Sequence, residues 1–175
     1  MTSDVIEPDG KDWTWVLREP CPECAFVAAD VDPAVVGAVV GTHVERWTRV
    51  LERPDAAVRP QADRWSDLEY ACHVRDVCTI FAGRIDQMLA EDPAHFANWD
   101  QDAAALERDY AHADAAQVAG EIAVEARRLQ DSLGRVGEGD WQRHGLRSNG
   151  SAFTIATLAQ YLLHDLEHHL VDVNG

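Results

Sequence analysis

Two histidines one helical turn apart can hold one metal ion, and residues 161–169, Tyr-Leu-Leu-His-Asp-Leu-Glu-His-His, contain such a pair in His164 and His168. On an α-helix, residues four apart differ by only about 40° around the axis, so the two imidazoles stack on one face. His169 is turned about 100° away from His168. The apolar stripe of the same segment, Ile155, Leu162, Leu166, Leu170 and Val173, lies roughly opposite the pair. Either the helix is packed on both sides, with the histidines facing a pocket, or the pair stands in solvent.

A third ligand is available in His73, which interrupts an apolar stripe formed by Tyr70, Val74, Val77, Ile80, Phe81, Ile85 and Met88. An imidazole on such a face needs a partner to offset its desolvation, and either a metal or a hydrogen bond supplies one. His73, His164 and His168 together would form a three-nitrogen set with positions left open for water or substrate. Carboxylates that could orient those imidazoles are Glu69 and Asp76, at i−4 and i+3 from His73, and Asp172, four residues after His168. In so acidic a chain, chance neighbours on a solvated face are the competing explanation. Tyr161 could donate to a bound ligand or fill the core, and Arg147 could bind a substrate carboxylate. His43, on a third apolar stripe, competes as a ligand, with a hydrogen-bonded role expected. Cys21-Pro-Glu-Cys24 reads as half a zinc knuckle, a redox pair, or two free thiols. Completing a knuckle requires Cys72, Cys78 or a histidine from elsewhere, whereas Cys72 and Cys78 are expected to pack as small hydrophobes.

The elements that must position these groups are helical. Asp32-Pro33 opens a first helix whose stripe is Val36, Val40, His43, Val44, Trp47, Val50 and Leu51. Ser66-Asp-Leu-Glu69 has the spacing of a capping box and predicts a second helix running to the Asp92-Pro93 breaker. A short helical turn near Ala103 leads to Tyr110. Asp114-Ala-Ala-Gln117 then predicts a long helix ending near Leu133. Glycines 134, 137, 139, 145 and 150 mark a long connection, with Trp141 and Phe153 as anchors, before a last helix over about 154–173. No strand pattern and no internal repeat is evident. The expected fold is all-α: an irregular N-terminal arm over 1–32, carrying Trp13, Trp15 and the Cys21/Cys24 pair, then a four-helix bundle with one long crossover connection over 33–175.

At 175 residues the chain suits one domain, and 46% hydrophobic with 26% charged residues is the balance of a folded protein. A formal charge of −16 repels a phosphate backbone or an anionic membrane, so neither is an expected partner. The first ten residues contain no basic segment followed by an apolar run, and no stretch is long enough to span a bilayer, so a cytoplasmic location with reduced thiols is expected. Gly134-Arg-Val-Gly-Glu-Gly139 lacks the Lys-Ser/Thr ending of a phosphate loop.

Residues Trp65-Ser-Asp-Leu-Glu-Tyr-Ala-Cys-His73-Val-Arg-Asp76 resemble the second helix of DinB-like (DinB/YfiT) metalloproteins, and Tyr161 to His169 resemble their final helix. The resemblance covers about 33–173, and the tryptophan-rich arm with Cys-Pro-Glu-Cys is similar to an actinobacterial branch of the family. It implies a bundle that is often a homodimer, with a divalent metal on three histidines carried over to His73, His164 and His168. Zinc is the first expectation, with nickel or iron as alternatives. Relatives in the family include S-transferases using bacillithiol or mycothiol. Mycothiol-dependent maleylpyruvate isomerase is similar only in part, since it has a glutamate among its ligands and a further C-terminal domain. The resemblance thus implies a metal-dependent S-transferase acting on a small molecule and a low-molecular-weight thiol, or a related hydrolase. The alternative is a non-catalytic metal-binding or stress-associated dimeric module.

Overall fold

The computed structural model describes Ile6, Pro8 and residues 10–175, so most of the leader reading of the first ten residues lies outside the described residues. Asp32 caps a 3-10 turn at Pro33–Val35 by accepting from the Ala34 amide at 3.0 Å, and α1 (Val36–Leu51) follows directly. The capping box at the start of α2 (Asp67–Ala90) is complete. The Ser66 hydroxyl accepts from the Glu69 amide at 3.2 Å, and the Glu69 carboxylate accepts from the Ser66 amide at 2.9 Å. Such a cap contributes on the order of 1 kcal/mol. Glu69 is also gripped by the Arg59 guanidinium at 2.6 and 2.9 Å, which fixes the loop before α2.

After β1 (Ala94–Phe96) comes the short α3 (Gln101–Glu107), then α4 (Ala115–Gly134), where the Asp114 side chain accepts from the Gln117 amide at 2.8 Å. The crossover from α4 holds β2 (His144–Arg147) and β3 (Ala152–Thr154), and α5 (Ile155–Asp172) ends the fold with Thr154 as its cap. Helices α1, α2, α4 and α5 form the four-helix bundle, with α4 packed on α1 and α2, and α5 also packed on both. The apolar stripes read from the sequence are its core. Leu162, Leu166 and Leu170 of α5 are at most 1% exposed, each worth about 1.5–3 kcal/mol of burial. No helix among the described residues is long and apolar enough to cross a membrane.

A small sheet, absent from the sequence reading, ties the crossover down. β1 pairs parallel with β2, Ala94 opposite Gly145, and β2 pairs antiparallel with β3, Gly145 opposite Phe153. Strands of three or four residues are too short to show an alternating pattern above background. Gly145 is where the sheet meets the core: a Cβ there would fall 2.6 Å from the Phe96 ring and 2.7 Å from the Met88 sulfur. Gly145→Ala is therefore expected to destabilise the chain by about 1–3 kcal/mol through overpacking. A urea titration checks this, and an unchanged midpoint would contradict it.

The arm carries the second packing surface of α5. Its 3-10 turn at Trp13–Leu17 and the following Cys21–Val31 stretch lie along that helix, and Gln160 of α5 donates to the Val31 carbonyl at 3.0 Å. Of the two arrangements open to α5, the structure has the helix packed on both sides: His164 and His168, opposite the leucine stripe, are 3% and 8% exposed.

Candidate metal centre

The three histidines expected at one ion are divided between two clusters. His73 of α2 meets Asp165 and His169 of α5, with one donor atom from each within 4.8 Å of the others. His164 and His168 form a second group under the same criterion with Cys21 and Cys24 of the arm. Helical geometry is the reason. The pairs 164/168 and 165/169 have the same four-residue spacing but point about 100° apart, so only the second faces α2 while the first faces the arm. The correction is a one-residue shift of register along α5. Asp165 and His169 were legible as an i, i+4 donor pair, but their direction depended on how α5 sits against α2.

In the first cluster, His73 is fully buried and places Nε2 3.3 Å from Asp165 Oδ1, while its Nδ1 has no hydrogen-bond partner among the described residues. His169 Nε2 lies 3.7 Å from the same Asp165 oxygen, and its Nδ1 is 2.9 Å from Asp172 Oδ2. The two rings meet edge to face at 4.7 Å, and Trp99 stacks on His73 at 5.4 Å with Trp65 at 5.6 Å. Burial works against ionisation of Asp165, yet the charge and hydrogen bond of His73, with the charge of His169, hold its carboxyl at about 2. The group is therefore a carboxylate with two imidazoles, a donor set suited to zinc, iron or nickel.

Asp172 does orient an imidazole, that of His169 more closely than that of His168, whose Nε2 is 3.8 Å away. Glu69 and Asp76 do not serve His73. Glu69 is committed to Ser66 and Arg59, and Asp76 accepts from Arg75 at 2.8 Å, from Tyr110 at 2.5 Å and from Arg108. His43 is hydrogen-bonded, its Nε2 2.8 Å from Glu167 Oε1.

A cavity of about 260 Å³ borders both clusters, lined by Asp165 and His169 of the first, by His164 and His168 of the second, and by Trp65, Tyr70, Tyr161 and the arm's Trp13. Asp63, Asp102, Asp172 and Glu23 make its wall acidic, with Arg64 as the counterweight. A second cavity of about 390 Å³ shares Trp13 and Tyr161 and adds Lys11, Trp99 and Arg147. Arg147 hydrogen-bonds Tyr161, whose hydroxyl is pushed above its ordinary pKa by burial and by Asp165. Tyr161 and Arg147 thus stand beside the cluster rather than in it.

In the second cluster, Cys21 Sγ is 3.7 Å from His168 Nδ1. His164, its pKa lowered to about 4 by burial and by the charge of His168, is a neutral imidazole near pH 7, and its Nε2 has no hydrogen-bond partner among the described residues. Burial pushes the Cys24 thiol up to about 11, the opposite of what an attacking redox thiolate needs. Cys72 and Cys78 are buried in the core, with pKa values raised by that burial to about 11 and 12.

The bundle thus brings a partly buried carboxylate and two imidazoles together between its second and last helices. The family profile described as the DinB superfamily matches residues 40–172, and the chain belongs to that superfamily. Its fold is similar to that of YfiT from Bacillus subtilis, at a TM-score of 0.66 and 16% identity, over 79% of this chain and 81% of that one. That structure is described as "a probable metal-dependent hydrolase with an unusual four-helix bundle topology". Among curated proteins, none matches this chain.

Proposed function

We propose that the chain is a metal-dependent enzyme holding one divalent ion, zinc in the first instance, on His73, Asp165 and His169, and acting on a small molecule in the adjoining cavity. The observation that carries this reading is the juxtaposition of three convergent donors with a cavity of about 260 Å³ beside them. A site serving only to brace the bundle would be filled by four protein ligands, whereas three donors leave a position open to that space. A divalent ion there supplies Lewis acidity that lowers the pKa of a water or thiol and makes it nucleophilic near neutral pH. Asp172 fixes the ring of His169 so that Nε2 faces Asp165, and Trp99 and Trp65 fix His73. Tyr161 and Arg147 offer a hydroxyl and a cation to the substrate at the shared edge of the two cavities.

Thiol transfer is the first reaction class, supported by the carboxylate in the donor set. That carboxylate, an aspartate, would narrow the ligand difference from the thiol-dependent isomerase that the sequence resembles in part, which has a glutamate. The acidic lining favours a thiol that is uncharged or cationic over one bearing carboxylates. Hydrolysis, supported by the fold likeness to YfiT, is the second class. The test is turnover of purified, zinc-loaded protein with mycothiol and a panel of electrophiles, in parallel with ester and amide substrates. Consumption of the thiol that falls at least 100-fold in His73→Ala and His169→Ala is the expected result. Hydrolysis without thiol selects the second class, and absence of metal-dependent turnover in both panels overturns the enzyme reading.

A further inference from the structure

We propose that Cys21, Cys24, His164 and His168 form a second, closed Cys2His2 zinc site that clamps the N-terminal arm to α5, separate from the reaction site. The four donors come from two places far apart in the chain, yet one atom of each lies within 4.8 Å of the others. A tetrahedral zinc with Zn–S of about 2.3 Å and Zn–N of about 2.0–2.1 Å sets its sulfur and nitrogen ligands about 3.5 Å apart. The Cys21 Sγ to His168 Nδ1 separation of 3.7 Å is close to that spacing without any ion to draw the groups together.

The turn carrying the cysteines is shaped for this. The Cys21 amide donates to the Phe26 carbonyl at 2.9 Å and the Ala25 amide to the Cys21 carbonyl at 2.8 Å. Ala25 takes a left-handed conformation, φ 60°, to close the loop, a position where an alanine is strained. The Phe26 amide also hydrogen-bonds the Cys24 sulfur. These bonds bend the four-residue Cys-Pro-Glu-Cys segment into a hairpin that turns both sulfurs to α5.

A full set of four protein ligands would make the site a closed one, although His164 and His168 also line the cavity of about 260 Å³. Cys21 is 1% exposed, and Trp13 and Phe26 pack their rings 5.2–5.8 Å from those of His164 and His168. His164 Nε2 is buried with no hydrogen-bond partner among the described residues, an unfavourable state that a bound ion would relieve. Four protein ligands leave no position for substrate, so the ion there is structural. A disulfide between Cys21 and Cys24 would leave both histidines unused and the His164 nitrogen unsatisfied.

Cobalt(II) reads the site directly, since thiolate coordination gives an intense near-ultraviolet charge-transfer band that imidazole and carboxylate ligands do not. One equivalent bound with that band is expected in the full chain and in His73→Ala:His169→Ala, which lacks the reaction site. The band is expected to vanish in Cys21→Ser:Cys24→Ser and to weaken or shift in His164→Ala. Zinc stoichiometry should fall from two per chain to one in either double variant. Because those variants could unfold, the unmodified chain provides a further reading: zinc should slow alkylation of Cys24 at least tenfold, and a chelator should reverse this. No thiolate band in the full chain, a band indifferent to His164→Ala, or alkylation unaffected by zinc overturns the proposal. None of these results bears on turnover at His73, so the two sites stand or fall separately.

Discussion

Asp76→Ala is expected to cost about 3–5 kcal/mol of stability, because it strips the acceptor from a buried cation and a buried hydroxyl together. Asp76 is 3% exposed and accepts from Arg75, Arg108 and Tyr110. Tyr110 is itself 1% exposed, and Arg75 goes on to Glu121 of α4 at 2.7 Å. The network therefore ties α2 to α4 and to the segment after α3, whose first residues line the cavity beside His169. Denaturant midpoints with an unchanged slope measure the loss. Asp76→Asn, which keeps one acceptor but no charge, should fall between the alanine variant and the unmodified chain. A loss below about 1 kcal/mol for the alanine variant would show that Arg75 and Tyr110 find other partners.

Asp172→Asn is expected to weaken zinc binding at His73, Asp165 and His169 by about 10–100-fold with little effect on folding. Asp172 touches no ion in this scheme. It accepts the Nδ1 proton of His169, which fixes the tautomer presenting Nε2 and makes that nitrogen the better donor. The measurement is chelator competition in the Cys21→Ser:Cys24→Ser background, where the arm cannot contribute a second ion. Aspartate is required for charge as well as geometry, so the amide should not substitute. A change under about threefold would remove Asp172 from the positioning role.

Much of the bundle was legible because its signals are local and periodic. Ser66 and Glu69, Asp32 and Pro33, and the stripes of α1, α2, α4 and α5 each specify an element through residues within a few positions of one another. The sheet was not, since pairing Ala94 with Gly145 is a long-range event leaving no periodic trace in segments so short. His73 was legible as a buried imidazole needing a partner. Its partners were displaced by one residue, because spacing fixes which residues share a face but not which neighbour that face meets. The choice between an α5 packed on both sides and a histidine pair in solvent followed from that pair lying opposite the leucine stripe, and the arm is what packs the second side. That a knuckle at Cys21 and Cys24 required Cys72, Cys78 or a histidine from elsewhere was legible, whereas the proximity of His164 and His168 to them was not.

Trp13 packs the arm onto the second donor cluster. One indole packs on the rings of His164 and His168 and also borders both cavities. An ion held by Cys21, Cys24, His164 and His168 would bind the arm as well as α5, so its release would loosen the segment that the bond from Gln160 to Val31 helps to hold on that helix. An ion on His73, Asp165 and His169 would leave the arm's packing untouched. The two clusters of one helix would thus differ in what emptying them does to the fold. A chain with both could reload its working metal without loosening the arm that lines its cavity.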